Sequence, residues 1–154
     1  MVDEDNVLPK KQMQARQLLG RTKRLMLSAR NKELAQLHIS SNQALLLWVI
    51  YHHNFDDPGH KITLTELAKE SDREKNTISL QMTAMEKDGL VKKIREVPKS
   101  NKLSFDLTEK GLDAFNQSKD FKIDKAIMSV LSKEELKLLM ALLNKIIKKA
   151  KQYQ

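Results

Sequence analysis

Residues 62–111 read ITLTELAKESDREKNTISLQMTAMEKDGLVKKIREVPKSNKLSFDLTEKG. Thr63, followed three residues on by Glu66, is a capping box: a hydroxyl and a carboxylate each satisfy a backbone N–H of the other's residue. A short helix therefore starts there and runs to about Glu70. Ser71 to Glu74 supplies a turn. A second helix spans about Lys75 to Lys87, with Ile78, Met82 and Met85 on one face and Gly89 as its C-terminal stop. Residues 90–95 and 103–107 are strand-forming, and the basic segment between them makes a hairpin tip, where Pro98 need not donate to a ladder. Helix, tight turn, helix and hairpin form the layout of a winged helix-turn-helix, which lays its second helix in the DNA major groove.

A helix entering that groove needs small or amide side chains on its N-terminal turns. Here Lys75, Asn76, Thr77, Ser79 and Gln81 occupy them. Asn and Gln can pair bidentately with adenine, Ser and Thr with several base edges or a phosphate, and Lys with guanine or phosphate. Any amphipathic helix shares the pattern, so the hairpin matters as a second element. Lys92, Lys93, Arg95, Lys99 and Lys102, with Ser100 and Asn101 at the tip, set a cationic projection against Glu96. Such a loop can follow the backbone into a flanking minor groove. A charged sheet edge that discourages aggregation has the same composition. Thr63 and Thr65 start the preceding helix, where N–H groups and hydroxyls suit a phosphate.

Working outward, residues 9–36 read as one long helix, with Pro9 in its first turn and Leu18, Leu25, Ala29 and Leu34 near helical spacing. Between Lys10 and Lys32 lie eight Lys or Arg and no acid. That run fits a solvated face or a flank against phosphate. Ser40 with Gln43 is a second capping box. It opens a helix whose run Ala44 to Tyr51 is apolar all round, and residues 53–60 end it with turn formers. Phe55 reads as a loop anchor. Thr108 caps a helix running towards Val130. Ser132 with Glu135 opens the last helix, where Leu136, Leu139, Met140, Leu143, Ile146, Ile147 and Ala150 keep helical spacing. The first and last helices carry more apolar surface than one chain hides, and a second copy with two-fold symmetry is the economical cover. Ordinary intrachain core is the alternative.

The composition agrees. The chain has 154 residues, 40% hydrophobic and 31% charged, as in a soluble globular domain. Its net charge of +8 favours an anionic partner, nucleic acid or an acidic membrane face. No apolar run reaches the roughly 18 to 20 residues that span a bilayer, and the N-terminus lacks a secretory signal, so a cytoplasmic protein with no membrane partner is expected. The absence of cysteine excludes disulfides, thiolate nucleophiles and sulfur-ligated zinc. His38, His52, His53 and His60 show no metal-ligand spacing, so no metal and no cofactor are expected. No glycine-rich phosphate loop or grouped Ser, His and acid points to an enzyme.

LTELA (64–68), NTIS (76–79), MEKDGLV (85–91), LTEKG (107–111) and LSKEELKLLMALL (131–143), in this order, resemble the MarR family of transcriptional regulators over about residues 10 to 150. The resemblance implies a mainly α fold with a small β-hairpin wing: one domain over 1–154, with dimerisation helices at 9–36 and 112–154 around a DNA-binding lobe at 40–111. It implies a homodimer on a pseudo-palindromic operator in double-stranded DNA, repressing or in some members activating, and often released by a small aromatic or anionic effector. Trp48 and Tyr51 lie on the helix that resembles the family's pocket wall; core packing is their default role and ligand contact the sharper one. Two positions depart from the family. An Asp-x-Arg pattern near the wing tip is replaced by residues 98–102, so Lys99 or Lys102 must substitute. A frequent Arg after the reading helix's Ser is Leu80, which suits a thymine methyl. A winged-helix DNA-binding protein without ligand, and a helical module for acidic protein or lipid, are the competing readings.

Overall fold

The computed structural model describes residues 4–95 and 102–154, with side chains from residue 9 onward. Backbone contacts divide the chain between Asp120 and Phe121 into two compact units.

The first unit opens with α1 (Glu4–Leu34) and a 3-10 turn (Ala35–Leu37), which ends on His38 in the left-handed region at φ 55°. Helix α1 starts earlier than the sequence suggests. Pro9 therefore stands inside the helix rather than in its first turn, where its missing N–H leaves one helical carbonyl without a donor. Asn31 Oδ1 accepts from Ser41 N at 2.7 Å and carries the chain into α2 (Ser41–Asp56). The Ser40–Gln43 capping box forms as expected. Helix α2 does not stop at His53 but continues through Asp56. The reason is Asn54: its amide is buried, donating to Phe105 O at 2.9 Å and accepting from Ile62 N at 2.8 Å. A residue that usually breaks helices by bonding its own backbone is occupied elsewhere here. Phe55 is thus on the last turn of α2, exposed and stacked on Tyr51, not a loop anchor.

Next come α3 (Leu64–Glu70), α4 (Lys75–Lys87), and the antiparallel strands β1 (Val91–Arg95) and β2 (Leu103–Leu107), paired from Val91 with Leu107 to Arg95 with Leu103. Residues 62–63 add a short extra pairing on β2, through the Thr63–Ser104 bridge and a bond from Phe105 N to Ile62 O at 2.9 Å. The core lies between these elements: Leu46, Leu47 and Ile50 from α2, Ile62, Leu67, Ile78, Met82 and Met85, then Val91 and Phe105. Helix α5 (Glu109–Ser118) closes the unit with Ala114 and Phe115 buried.

The helix expected from Thr108 towards Val130 is broken. Phe121 takes φ 48° and α6 (Lys122–Met128) begins afresh. Neither Gly nor Pro marks the break; a bulky residue in the left-handed region is uncommon and costly. In the second unit α6 leads to α7 (Lys133–Ala150), whose Ser132–Glu135 capping box forms as read. Among the described residues, no helix is long and apolar enough to cross a membrane.

Candidate nucleic-acid interface

Helix α3 begins with the Thr63–Glu66 box: Thr63 N donates to Glu66 Oε2 at 2.8 Å, Thr63 Oγ1 at 2.9 Å, and Glu66 N returns a bond to Thr63 Oγ1 at 3.3 Å. The Thr63 backbone N–H is the main cause that holds the Glu66 carboxyl down at about 2 against an ordinary 4.5, with His60 and the Thr63 hydroxyl adding to it. This commits the Thr63 hydroxyl to Glu66 and leaves Thr65 as the exposed one. The turn into α4 needs one left-handed residue, and Asp72 provides it at φ 53°; Asp tolerates this region better than most. Arg73 N bonds Ala68 O at 2.9 Å and Arg73 Nη2 bonds Asn42 Oδ1 at 2.8 Å, tying the turn to α2.

On α4, Ile78, Met82 and Met85 are buried and hold the helix against the core. The opposite side carries Asn76, Thr77, Leu80, Thr83 and Ala84, all exposed, with Leu80 at 75%. Lys75 is exposed at the N-terminus, and the Glu74 N-cap makes no side-chain bond to the helix. The first N–H groups of α4 therefore lack a side-chain cap and carry the positive end of the helix dipole. Ser79 and Gln81 lie on the flanks, half-buried. Gln81 Oε1 is buried without a hydrogen-bond partner among the described residues. Thr83 and Ala84 were not singled out from sequence. Their position opposite the Ile78–Met82–Met85 stripe is what helical spacing gives once that stripe is known to face the core.

On the wing, Lys92, Arg95 and Lys102 are exposed, and Lys93 Nζ is 3.8 Å from Glu86 Oε1. Lys99, Ser100 and Asn101 lie outside the described residues. A cleft of about 590 Å³ joins the start of α3, the start of α4 and the base of β2, bringing Thr65, Lys75 and Lys102 to one opening. The opening thus combines one hydroxyl with two ammonium groups, a set that suits an anion.

Two contacts tie the end of β2 to the turn between α4 and β1. Thr108 N bonds Leu90 O at 3.1 Å, and the Thr108 hydroxyl donates to Gly89 O, Gly89 itself being left-handed at φ 74°. Gly111 lies so close to the backbone just before β1 that a Cβ there would stand 1.9 Å from Leu90 O.

A separate cavity of about 400 Å³ is lined by Tyr51, Asn54, Phe55, Lys61, Asp106 and Leu112, among others. Tyr51 stacks on Phe115 at 4.1 Å between centroids, while Trp48 is 38% exposed, packs on His52 at 4.4 Å and is not a wall of the cavity. Lys61 Nζ meets Asp106 Oδ2 at 3.1 Å. Burial, the largest influence on Asp106, pushes its carboxyl up, but bonds from Lys61, Leu107 N–H and Asn54 outweigh it and leave it below the usual value.

No protein-family model matches the chain, and no curated protein does. Solved structures do. AbsC of Streptomyces coelicolor, a MarR family transcriptional regulator, superposes with a TM-score of 0.77 at 22% identity, over 93% of this chain and 95% of that one. The organohalide-sensing regulator RdhR, bound to 2,4-dichlorophenol, gives 0.76 at 24% identity over 97% of this chain and 86% of that one. S. aureus MepR in complex with DNA gives 0.76 at 22%, over 86% and 95%. At such identities the likeness is one of fold: the chain has the fold of the MarR-family transcriptional regulators.

Proposed function

We propose that the protein is a sequence-specific, double-stranded DNA-binding transcriptional regulator that acts as a homodimer on a pseudo-palindromic operator, most simply as a repressor. The observation that carries this reading is α4. Its apolar stripe is sunk in the core, so Asn76, Thr77 and Leu80 are held outward on a rigid helix next to a cationic wing. A slim polar face with one methyl-seeking residue is what base-edge readout needs. The fold shared with MepR, which was solved on DNA, supports the same direction.

In this reading the chain works as one functional domain. Residues 40–111 read DNA, while 9–36 and 112–154 pair two copies. Leu18 and Leu25 on α1, and Leu138, Met140, Ile146 and Ile147 on α7, are exposed apolar side chains that a second copy would cover. The Tyr51–Phe55–Lys61 cavity is the candidate effector site, and its aromatic walls favour a small aromatic molecule. RdhR is a regulator solved with 2,4-dichlorophenol bound. A chromosomal target places the protein in the cytoplasm, and no catalytic role is proposed.

The test is selection of duplexes from a random library, followed by footprinting and sedimentation. A dimer that protects two half-sites one helical turn apart, roughly 34–36 Å, is expected. A monomer at micromolar concentration, or binding equal for every sequence, would overturn the reading.

A further inference from the structure

The junction of α2 and α3 gathers side chains that the proposed DNA contacts leave unused. Nitrogens of His53 and His60 and a carboxylate oxygen of Glu66 lie within 4.8 Å of one another. His60 Nε2 is 2.9 Å from Glu66 Oε1, and His53 Nε2 is 4.0 Å from Glu66 Oε2. On its other side the His53 ring is held by Glu70, with Nδ1 at 2.7 Å from Oε1. With Nδ1–H directed at Glu70, the neutral form of the ring has its lone pair on Nε2. This Nε2 is buried and has no hydrogen-bond partner among the described residues, a costly state for a polar nitrogen unless something else meets it.

We propose that His53 Nε2, His60 Nε2 and the Glu66 carboxylate form a binding site for a divalent transition metal of the zinc class. Tetrahedral ligands about 2.0–2.1 Å from zinc lie about 3.3 Å from each other. His60 Nε2 lies 2.9 Å from Oε1 and 3.0 Å from Oε2, and His53 Nε2 lies 4.0 Å from Oε2, so small side-chain shifts reach that spacing, and the proton that His60 Nε2 shares with the carboxylate leaves on binding. Glu66 Oε2 is held by the Thr63 N–H and hydroxyl, which leaves Oε1 to turn to the ion without giving up the helix cap. A carboxylate on the far nitrogen of a ligating imidazole is the usual outer-shell partner of a metal site, and Glu70 occupies that position. Two imidazoles and one carboxylate select zinc, cobalt or nickel over magnesium and calcium, which take oxygen ligands. Three protein ligands leave a position for water or a further donor. The ion would clamp the end of α2 to the first helix of the reading head.

The site is tested on the full-length protein stripped with a chelator, titrated with Zn²⁺ by calorimetry and with Co²⁺ by visible absorption. One ion per chain is expected, with cobalt bands of mixed nitrogen and oxygen ligation and no competition from Mg²⁺. His60→Gln and His53→Gln should each weaken binding by more than tenfold. Glu70→Gln, acting through His53, should weaken it about 10- to 100-fold. His38→Gln and His52→Gln should leave it unchanged. The cobalt spectrum of the wild-type protein reads nitrogen ligation even where a variant folds poorly. Absence of saturable micromolar binding, or binding that survives His53→Gln/His60→Gln, would overturn the proposal.

Discussion

Arg30, buried to 2% exposure on α1, donates from Nη2 to the carbonyl oxygen of Ser118 at the end of α5, 2.7 Å away and 88 residues along the chain. The same guanidinium bonds Glu33 Oε2 at 2.5 Å. One of the eight cations of the basic run thus serves folding, and the others from Lys10 to Lys32 are exposed. Arg30→Met should cost about 2–3 kcal/mol in urea unfolding, because a charged donor is lost and a buried carbonyl left without it. A change below about 0.5 kcal/mol, the level of an ordinary surface substitution, would show that the contact is incidental.

Two glycines on helices should respond with opposite signs. Helix propensity alone favours Ala over Gly by about 1 kcal/mol at either position. At Gly20 the added methyl meets only the flexible end of Arg24, at 3.4 Å, so Gly20→Ala should raise stability by up to that amount. At Gly111 it would meet backbone at 1.9 Å, and the Leu90 carbonyl is pinned by Thr108 N. Overpacking of about 1–3 kcal/mol or more then wins, and Gly111→Ala should lower the melting temperature. Equal effects from the two substitutions would sink this account of the wing's attachment.

Contacts to bases and to backbone should separate in binding assays. Asn76→Ala and Gln81→Ala should relax preference at particular base positions, with the larger effect at Asn76, which is exposed where Gln81 is half-buried. Lys99→Ala and Lys102→Ala should weaken all sequences alike and lower the salt slope by about 1 each. The assignment of α4 as the reading helix fails if all four variants behave alike.

Acid should erase the advantage of the Glu66 charge. Its carboxyl is held at about 2 in the folded chain against an ordinary 4.5. A depressed carboxylate stabilises the fold above the unfolded value and loses that contribution as pH falls through the folded one. Gln at this position keeps the capping geometry but not the charge. The stability gap between the wild-type protein and Glu66→Gln should therefore be full above about pH 5 and shrink towards pH 2. Urea midpoints measured across that range, with metal removed, decide it. A gap that does not change with pH would mean that the cap and His60 owe nothing to ionisation.

Most of the fold was legible because its signals are local. The capping boxes at Ser40, Thr63 and Ser132 depend on residues three apart, and each forms. The apolar stripe of α4 depends on spacing within one helix and is buried as read. What was missed depends on distant partners. The turn formers after Tyr51 stay helical because Asn54 bonds Ile62 and Phe105. The break at Phe121 has no local marker. His53, His60 and Glu66 are seven and six residues apart in sequence, and only the return of the chain from α2 into α3 brings them together. Of the five polar candidates on α4, Ser79 and Gln81 lie half-buried on its flanks, a placement set by the neighbours that pack beside the helix.

The Asn54 amide has a consequence for how such a protein can diverge. From α2 it holds Ile62, just ahead of α3, and Phe105, in the middle of β2, so β2 is positioned by contacts outside the hairpin. Insertions or exchanges between Arg95 and Lys102 would then not propagate into α4. Changes there would alter the charge presented beside α4 without moving the side chains that α4 holds outward.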